Sequence, residues 1–318
     1  MIHSRIAGTG SYLPEKVVTN SDLEKMVDTT DEWIRSRTGI ERRHVAADGE
    51  TTVDLAEHAA RRALDAAGIA PTDVDFIAFG TTTPDLVFPN CGVLLQQRLG
   101  CRGGPAFSLE TACAGFMYAL SIADKYVRCG EAKRALVIGS ETLSRITDWS
   151  DRGTAVLFAD GAGAVVLEPS AAPGVLSTHL HADGQYKDLL YCSSGVSKGF
   201  APKLAITMSG NEVFKVAVTK LGQAVDETLA ANGLTKEELD WLVPHQANIR
   251  IIQAMARRLE LPMEKVIATV QEHGNTSAAS VPLALDVAVR DGRIKRGELL
   301  LLEAFGGGFT WGSALVRY

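Results

Sequence analysis

Cys113, His245 and Asn275 are the residues whose types and surroundings best suit chemistry on an acyl group. A cysteine thiolate is a strong nucleophile, a histidine is a base or a hydrogen-bond donor, and an asparagine amide is a donor that does not ionise. Small residues flank Cys113 within segment 110–116 and leave room for an acyl group beside the sulfur. Because this segment opens an apolar helix, we expect the positive end of the helix dipole to lower the pKa of the thiol.

His245 ends a short apolar strand and precedes a helix rich in arginine. In α/β sheets the crevice beyond such strand ends is a common place for ligands. The ring must be neutral to donate a hydrogen bond from Nε2, so we expect a low pKa for His245. The other six histidines have no comparable setting, although His273 lies two residues from Asn275 and competes for the second donor role.

Three consecutive glycines, residues 306–308, follow an apolar strand near the end of the chain. Glycines allow another backbone to approach closely and leave N–H groups exposed. One interpretation of the run is a plain turn. The other is that the N–H of Gly307 joins the N–H of Cys113 in an oxyanion hole.

An internal repeat indicates how these residues come together. Residues 63–80 match residues 228–245 at a spacing of 165, and each copy reads as an amphipathic helix, a glycine cap and a short apolar strand. A second match joins residues 130–139 to residues 292–302, with their first glycines 162 positions apart. The sequence therefore predicts two copies of one α/β unit.

The second spacing, applied upstream, makes Cys113 and Asn275 equivalent positions, each just before a helix. We expect the first helix to stop at Gly130. We expect the second to begin near Pro282, whose fixed φ suits a first turn, and to stop at Gly292. Equivalent positions meet near a pseudo-twofold axis, so the cysteine, the histidine and the asparagine are predicted to converge.

The hydrophobic pattern predicts the layers of the fold. Strands such as residues 299–302 are apolar without alternation, which is typical of sheets covered on both faces. The helix after Cys113 is apolar almost all round, so we expect it between two sheets. We predict an α/β protein of two duplicated halves, residues 1–170 and 171–318, in a five-layer α-β-α-β-α sandwich.

The composition restricts the class and the location of the protein. The chain has 318 residues, 46% of them hydrophobic and 22% charged, which is typical of a folded globular protein. A net charge of −6 argues against nucleic-acid binding, and no apolar stretch is long enough for a membrane span. Five cysteines without C-x-x-C spacing and an N-terminus without a signal peptide favour a cytoplasmic protein with no metal site.

Taken together, the motifs resemble those of the β-ketoacyl-acyl-carrier-protein synthase III family, condensing enzymes of the thiolase superfamily. The resemblance covers nearly the whole chain, and its motifs are specific as a set rather than singly. The segments that match are 82–85 with 88–89, 112–116, 158–164, 245–248, 274–282 and 304–312. The resemblance implies a thiolase-like fold and a Cys-His-Asn triad of Cys113, His245 and Asn275.

The resemblance also implies where coenzyme A binds. Trp33 would stack on the adenine ring, with Arg152 on the other face of the base. The residues that would line the entrance for the pantetheine and the phosphates are Arg37, Thr38, Asn248 and Arg250.

Two protein partners follow from the same resemblance, a carrier protein and a second copy of the chain. Phe88 would reach across a homodimer interface and bound the acyl pocket. The basic residues that would bind acyl carrier protein are Lys215, Arg250, Arg257 and Arg258. No nucleic-acid or membrane partner is expected.

Three positions depart from the usual family pattern: Ser108, Glu110 and Ala159. Many members have aspartate at the first position, a small residue at the second and glycine at the third. A carboxylate at Glu110 would raise the pKa of the Cys113 thiol if it pointed inward. The departures bear on substrate preference more than on the class of reaction.

The implied reaction initiates fatty acid biosynthesis by a decarboxylative Claisen condensation. An acyl-coenzyme A, in the first place acetyl-coenzyme A, would acylate Cys113, and malonyl-acyl carrier protein would then react with the acyl group. Coenzyme A and phosphopantetheine are substrates here, and no cofactor is expected. The alternative within the fold is a condensing enzyme that uses a longer, branched or specialised starter.

Other classes fit the sequence less well. Degradative thiolases present a second reactive cysteine near the C-terminus, and residues 304–318 contain none. A hydroxymethylglutaryl-type synthase needs a glutamate base, for which Glu110 is the nearby candidate. Papain-like proteases also use Cys-His-Asn but lack this duplication. A catalytically silent acyl-binding dimer would form no adduct at Cys113.

Overall fold

The structure, a computed structural model, describes residues 2–201 and 203–318. The strands are β1 His3–Tyr12, β2 Lys16–Thr19, β3 Arg42–Val45, β4 Phe76–Gly80, β5 Ala106–Leu109, β6 Ala135–Thr142, β7 Asp160–Ser170, β8 Val175–Ala182, β9 Leu190–Cys192, β10 Ile206–Met208, β11 Trp241–Pro244, β12 Leu299–Gly306 and β13 Thr310–Arg317. The α-helices are α1 Asn20–Leu23, α2 Asp31–Thr38, α3 Thr52–Ala67, α4 Cys91–Leu99, α5 Gly115–Arg128, α6 Arg152–Ala155, α7 Gly210–Asn232, α8 Ile249–Leu259, α9 Val270–His273 and α10 Ser280–Arg290.

Two mixed sheets form the frame of the molecule. The first has the strand order β1-β7-β6-β4-β5, and the second has the order β11-β12-β13-β8. Both follow one plan, in which parallel strands sit beside an antiparallel pair: the first sheet has three parallel strands, β5, β4 and β6, and the second has two, β11 and β12. In the second sheet the counterpart of β5 is reduced to a single parallel bridge between Leu242 and Val266.

Helices cover both faces of each sheet. Helices α3 and α4 pack outside the first sheet, and α7 and α8 pack outside the second. Helices α5 and α10 lie between the sheets, since each contacts strands of both. Their apolar residues form the central core with the inner faces of the sheets. The prediction of a five-layer α-β-α-β-α arrangement is therefore confirmed.

The two central helices begin alike but differ in length. Each follows one turn of 3-10 helix, Ala112–Ala114 before α5 and Ser277–Ala279 before α10. The first residues of these turns, Ala112 and Ser277, both have left-handed backbone, with φ of 46° and 50°. Their spacing is 165, and it falls to 162 at the glycines beyond because α5 has 14 residues and α10 has 11.

This geometry corrects one step of the sequence argument. At a spacing of 165 the equivalent of Cys113 is Ala278, not Asn275. The second central helix also begins at Ser280, two residues before Pro282. The spacing is 162 only beyond the central helices, because α10 is three residues shorter than α5; before these helices it is 165.

The two halves divide the strands of the sheets between them. The first sheet uses strands between residues 3 and 170, and the second uses strands between residues 175 and 317. The predicted boundary between the two halves, residues 170 and 171, would fall between the strands of the first sheet and those of the second. This boundary stays a proposal. In the part of the chain that the structure describes, no helix combines the length and the apolarity needed to cross a membrane.

Candidate active site

Cys113 lies in the 3-10 turn that leads into α5, and its side chain is almost completely buried. Gly306, at the end of β12, packs directly against it. A Cβ added at Gly306 would lie 2.5 Å from the backbone nitrogen of Cys113, so only glycine allows this approach. The peptide that joins Gly306 to Gly307 therefore lies beside Cys113.

Burial dominates the ionisation of the Cys113 thiol. Desolvation raises its pKa to about 12, and the nearby carboxylate of Glu141 adds to the rise. A side-chain hydrogen bond with Ser277 and the N–H of Cys113 itself act in the opposite direction but are smaller. The expectation of a lowered thiol pKa is therefore wrong, because the sulfur is too far from water for the helix start to compensate.

His245 follows β11 and is held at two atoms. Its N–H donates to the carbonyl of Glu303 at 2.8 Å, and its Nδ1 lies 2.6 Å from the hydroxyl of Ser280. That hydroxyl also accepts the N–H of Gln246 at 3.4 Å, so its own proton is available for Nδ1. A neutral ring then holds its proton on Nε2. Burial lowers the pKa of His245 to about 3, as expected.

Asn275 is fixed from both sides of its backbone. Its N–H donates to the carbonyl of Leu157, and its carbonyl accepts the N–H of Ala159, both at 2.9 Å. Its side-chain Oδ1 accepts the N–H of Ser277 at 3.0 Å. Because the oxygen is occupied in this way, the amide nitrogen Nδ2 is left as the donor that faces the cavity.

A single cavity of about 120 Å3, here called the reaction cavity, is lined by Cys113, His245 and Asn275. The three residues that were predicted to converge therefore line one cavity. The other lining residues are Leu157, Phe158, Leu190, Met208, Gly210, Val213, Phe214, Ala217, Leu221, Pro244, Ala247, Asn248, Ile251, Glu303 and Phe305. Most of them are apolar, so charges that develop in the cavity are poorly screened. His273 is buried elsewhere and does not line the cavity.

Gly307 itself is not among the residues that line the reaction cavity. An added Cβ there would lie 2.8 Å from the carbonyl of Leu190. Within the described residues, neither its N–H nor that of Cys113 donates a hydrogen bond to another residue. An oxyanion hole made of these two groups therefore stays a prediction, and the free N–H groups support it.

The two residues expected to hold adenine, Trp33 and Arg152, are far apart in the sequence but adjacent in the structure. The guanidinium of Arg152 lies 4.8 Å from the ring centre of Trp33, and that of Arg37 lies 6.0 Å from it. A base stacked between Trp33 and Arg152 needs about 7 Å, two stacking distances of about 3.5 Å. Arg152 would therefore have to move for adenine to enter.

The remaining entrance residues differ in accessibility. Asn248 caps α8 by accepting the N–H of Ile251, and it lines the reaction cavity. Arg250 is exposed and lies 5.4 Å from the ring of Phe214. Thr38 is buried, and its hydroxyl donates to the carbonyl of Ile34. The Thr38 side chain is thus already engaged within α2.

The four basic residues expected to bind a carrier protein lie on the adjacent helices α7 and α8 and are exposed. Two of them already have carboxylate partners: Lys215 pairs with Glu212 at 2.9 Å, and Arg258 pairs with Asp226. Arg250 and Arg257 form no ion pair with the residues that the structure describes.

Phe88 is 82% exposed, and its neighbours Leu86 and Val87 are also largely exposed. Residues 84–87 border a groove of about 760 Å3 that also includes the exposed apolar residues Val196 and Phe200. This groove is distinct from the reaction cavity, because the two share no lining residue.

The three departures from the family pattern have defined places. The hydroxyl of Ser108 accepts the N–H of Cys91 at 3.1 Å. Glu110 is exposed at the 760 Å3 groove, so its carboxylate does not point toward the thiol. Ala159 is buried and donates its N–H to Asn275.

Sequence reasoning missed several polar groups around the reaction cavity: Glu141, Ser277, Ser280 and Glu303. The hydroxyl of Ser277 donates to Glu141 at 3.0 Å, and three threonines, residues 81–83, also bind that carboxylate. A signal was present for Glu303, since it is the one charged residue directly after the apolar run 299–302. Ser280 had no such signal, because its partner is 35 positions away.

Two family models match the chain. The model for 3-oxoacyl-[acyl-carrier-protein (ACP)] synthase III matches residues 107–184, and the model for the C-terminal part of the same enzyme matches residues 229–318. A β-ketoacyl-[acyl-carrier-protein] synthase III from Xanthomonas campestris is 64% identical over 321 residues, covering 100% of this chain and 99% of the relative. The chain belongs to the 3-oxoacyl-[acyl-carrier-protein] synthase III family.

Solved structures of this synthase III family share the fold. The 3-oxoacyl-[acyl-carrier-protein] synthase III of Aquifex aeolicus superposes with a TM-score of 0.94 at 47% identity, covering 99% of this chain and 100% of that one. The priming β-ketosynthase of the R1128 polyketide pathway has a TM-score of 0.95 at 38% identity, with 99% and 96% covered. The predicted family, the thiolase-like fold and the enzyme class, a condensing acyltransferase of fatty acid synthesis, are confirmed.

Proposed function

We propose that this synthase joins the acyl group of a short acyl-coenzyme A, in the first place acetyl-coenzyme A, to malonyl-acyl carrier protein through an acyl-Cys113 intermediate. The observation that supports this most directly is the reaction cavity, where one thiol and two neutral hydrogen-bond donors face the same apolar space. The chemistry divides into an acyl transfer and a condensation.

In the acyl transfer the sulfur of Cys113 attacks the thioester carbonyl of acyl-coenzyme A. The carbonyl oxygen becomes negative and is stabilised by the N–H groups of Cys113 and Gly307, each contributing about 3–4 kcal/mol by comparison with other oxyanion donors. The carbon–sulfur bond to coenzyme A then breaks, and coenzyme A leaves with the proton of the thiol. The exchange of one thioester for another is nearly isoenergetic.

In the condensation the thioester carbonyl of the malonyl group accepts hydrogen bonds from Nε2 of His245 and Nδ2 of Asn275. The bond to the carboxylate breaks, carbon dioxide leaves, and the electron pair forms an enolate held by these two donors. Both donors are neutral, so they stabilise the developing charge without binding the malonyl carboxylate as an ion pair. In this scheme no step requires a metal or a cofactor.

The entrance and the partners are part of the same proposal. Trp33, Arg152, Arg37, Thr38, Asn248 and Arg250 bind coenzyme A. The exposed basic residues of α7 and α8, Lys215, Arg250, Arg257 and Arg258, bind acyl carrier protein. A second copy of the chain covers residues 86–88, because exposed apolar side chains of this size are unfavourable in water. The five free cysteines suit a cytoplasmic location.

A specialised starter is the second candidate. The priming β-ketosynthase of a polyketide pathway superposes on this chain as well as the fatty acid enzymes do.

The experiment is to offer a panel of acyl-coenzyme A thioesters with malonyl-acyl carrier protein and to measure carbon dioxide release. We expect the highest kcat/KM with a short straight chain and no release with Cys113→Ala. Preference for long or branched chains would instead support the specialised starter.

The roles of the two donors are tested by separating the half-reactions. In His245→Ala and Asn275→Ala we expect acyl-Cys113 to form, detected as a mass adduct, while decarboxylation falls at least about 100-fold. If both half-reactions fell equally, the assignment of the donors would be wrong.

A further inference from the structure

Glu303 is a buried carboxyl group in the wall of the reaction cavity. It lies on β12, where alternate residues Leu299, Leu301 and Phe305 belong to one apolar cluster. Glu303 occupies the remaining place in this row, between Leu301 and Phe305. Neither oxygen of its carboxyl group has a hydrogen-bond partner in the part of the chain that the structure describes.

This position is unfavourable for the fold. A polar group buried without a partner destabilises the native state, and a leucine or methionine would fit the same apolar row without that loss. Perturbed ionisable groups in a cleft are found most often where the chemistry needs them. The burial of Glu303 beside Cys113 and His245 therefore points to a use in the reaction.

The condensation has a requirement that the triad does not meet. The acyl transfer is neutral in protons, because the thiol proton leaves with coenzyme A. The condensation converts acyl-Cys113 and a malonyl carboxylate into a ketoacyl thioester, carbon dioxide and a Cys113 thiolate. Restoring the thiol consumes one proton per turnover. Because burial raises the pKa of this thiol to about 12, a thiolate left in the cavity is strongly disfavoured.

Few groups can supply that proton. The ionisable residues among those lining the reaction cavity are Cys113 on its turn, His245 after β11 and Glu303 on β12; helices α7 and α8 contribute none to the lining. His245 has a pKa lowered to about 3 and is needed as the neutral donor to the thioester. Burial raises the pKa of Glu303 to about 8, so at neutral pH it is mainly a carboxylic acid.

Glu141 is the other carboxyl group near the sulfur, which it reaches through Ser277. Its oxygens accept the backbone N–H of Thr82 at 3.0 Å and hydroxyl groups of the surrounding threonines. These donors favour the carboxylate, although burial raises the pKa of Glu141. Glu303, with no donor directed at it, is better suited to hold a proton.

We propose that Glu303 returns the proton to Cys113 at the end of the condensation, a role that rests on the proposed function above. The enolate carbon forms its bond to the acyl carbonyl, the tetrahedral oxyanion collapses, and the carbon–sulfur bond breaks with its electron pair on sulfur. The O–H of Glu303, in the wall of the same cavity as Cys113, supplies the proton, and the carboxylate regains a proton from bulk water after the product leaves. A neutral Glu303 also avoids repelling the malonyl carboxylate.

The test uses preformed acyl-Cys113 enzyme mixed with malonyl-acyl carrier protein from pH 6.5 to 9.5, with single-turnover formation of the ketoacyl product as the readout. For the wild type we expect the rate to fall as pH rises through about 8. Glu303→Gln should be at least about 10-fold slower at pH 7 and independent of pH, because it has lost a general acid. Glu303→Asp should restore the fall at high pH, and Leu301→Met, in the same apolar row, should behave like the wild type.

Acyl transfer, followed as the mass adduct at Cys113, should stay within about threefold of the wild type in Glu303→Gln. The proposal is overturned if Glu303→Gln keeps the wild-type rate and its fall at high pH, or if both half-reactions slow equally. It is also overturned if the fall at high pH survives in Glu303→Gln and disappears in Glu141→Gln. A wild-type acyl-enzyme that forms no ketoacyl product would refute the proposed function, and the role of Glu303 with it.

Discussion

Burial is the main influence on the ionisation of the Cys113 thiol and outweighs the hydrogen bonds that favour the thiolate. Burial raises the pKa of the thiol to about 12, and Glu141 acts in the same direction. The resting enzyme therefore holds a thiol rather than a thiolate at neutral pH. In the proposed mechanism its reactivity depends on the transition state, where the N–H groups of Cys113 and Gly307 would stabilise the negative oxygen of the substrate.

A first prediction concerns the alkylation of Cys113. With a pKa near 12, the thiolate fraction rises about tenfold for each pH unit between pH 6 and pH 10. We expect the rate of reaction with iodoacetamide to rise in proportion over this range without a plateau, measured from the mass of the peptide that contains Cys113. Cys113→Ala serves to identify reaction at the other cysteines. A plateau between pH 7 and pH 8 would contradict the burial argument.

At the scale of elements, the active site depends on two 3-10 turns that pack against the ends of strands. The turn Ser277–Ala279 crosses β6 at Gly139, where an added Cβ would lie 2.1 Å from the carbonyl of Ala278. The start of α5 crosses β4 in the same way, since a Cβ on Gly80 would lie 2.6 Å from the backbone of Gly115. Glycines at these crossings allow Cys113 and Asn275 to approach one cavity.

A second prediction tests this packing. Gly139→Ala forces a Cβ into the backbone of the second turn, which cannot yield as a flexible side chain would. We expect condensation to fall at least about 10-fold and the free energy of unfolding to fall by about 1–3 kcal/mol, the usual range for overpacking. Thermal unfolding and carbon dioxide release measure the two effects.

Gly184→Ala is the matched control, because an added Cβ there meets no atom within 4 Å. It should leave both the melting temperature and the rate unchanged. An active and stable Gly139→Ala enzyme would show that the turn can shift without separating the catalytic groups.

At the scale of the whole molecule, the proposed function places a second copy of the chain over the exposed apolar residues 86–88. A third prediction follows for Phe88→Asp. A charge at this position should break the dimer, because burying an unpaired carboxylate against apolar side chains is unfavourable. Sedimentation should show the 34.0 kDa monomer for the variant and twice that mass for the wild type.

Met263→Asp provides the control for the dimer, since Met263 is also an exposed apolar residue but belongs to the other half of the chain. This variant should remain dimeric. A wild-type protein that sediments as a monomer would contradict the proposed dimer.

A fourth prediction distinguishes the basic residues of α8. Arg257 has no carboxylate partner among the described residues, whereas Arg258 is paired with Asp226. Arg257→Ala should raise KM for malonyl-acyl carrier protein about 5- to 10-fold, and Arg258→Ala by less than about twofold, because a paired charge attracts an anionic partner less. KM for acyl-coenzyme A should not change in either variant, and equal effects of the two substitutions would argue against this distinction.

Local patterns were sufficient to predict much of this protein. Apolar strands without alternation and a helix apolar on all sides indicated the five layers, because such segments need cover on every face. Cys113 and His245 were identified by their types and by the elements that precede or follow them, whereas Asn275 was identified by the repeat spacing and by the family resemblance. The repeat predicted the duplication, although it paired Cys113 with the wrong residue, since one spacing was carried across helices of different length.

Tertiary structure alone decided the environment of each group. The pKa of the Cys113 thiol and the tautomer of His245 depend on partners 28 to 193 residues away along the chain, and burial alone raises the pKa of Glu303. The pattern of neighbouring residues in the sequence determines which segments can form a helix or a strand. This pattern does not determine how deeply a side chain is buried, and the depth of burial sets the free energy needed to ionise the group.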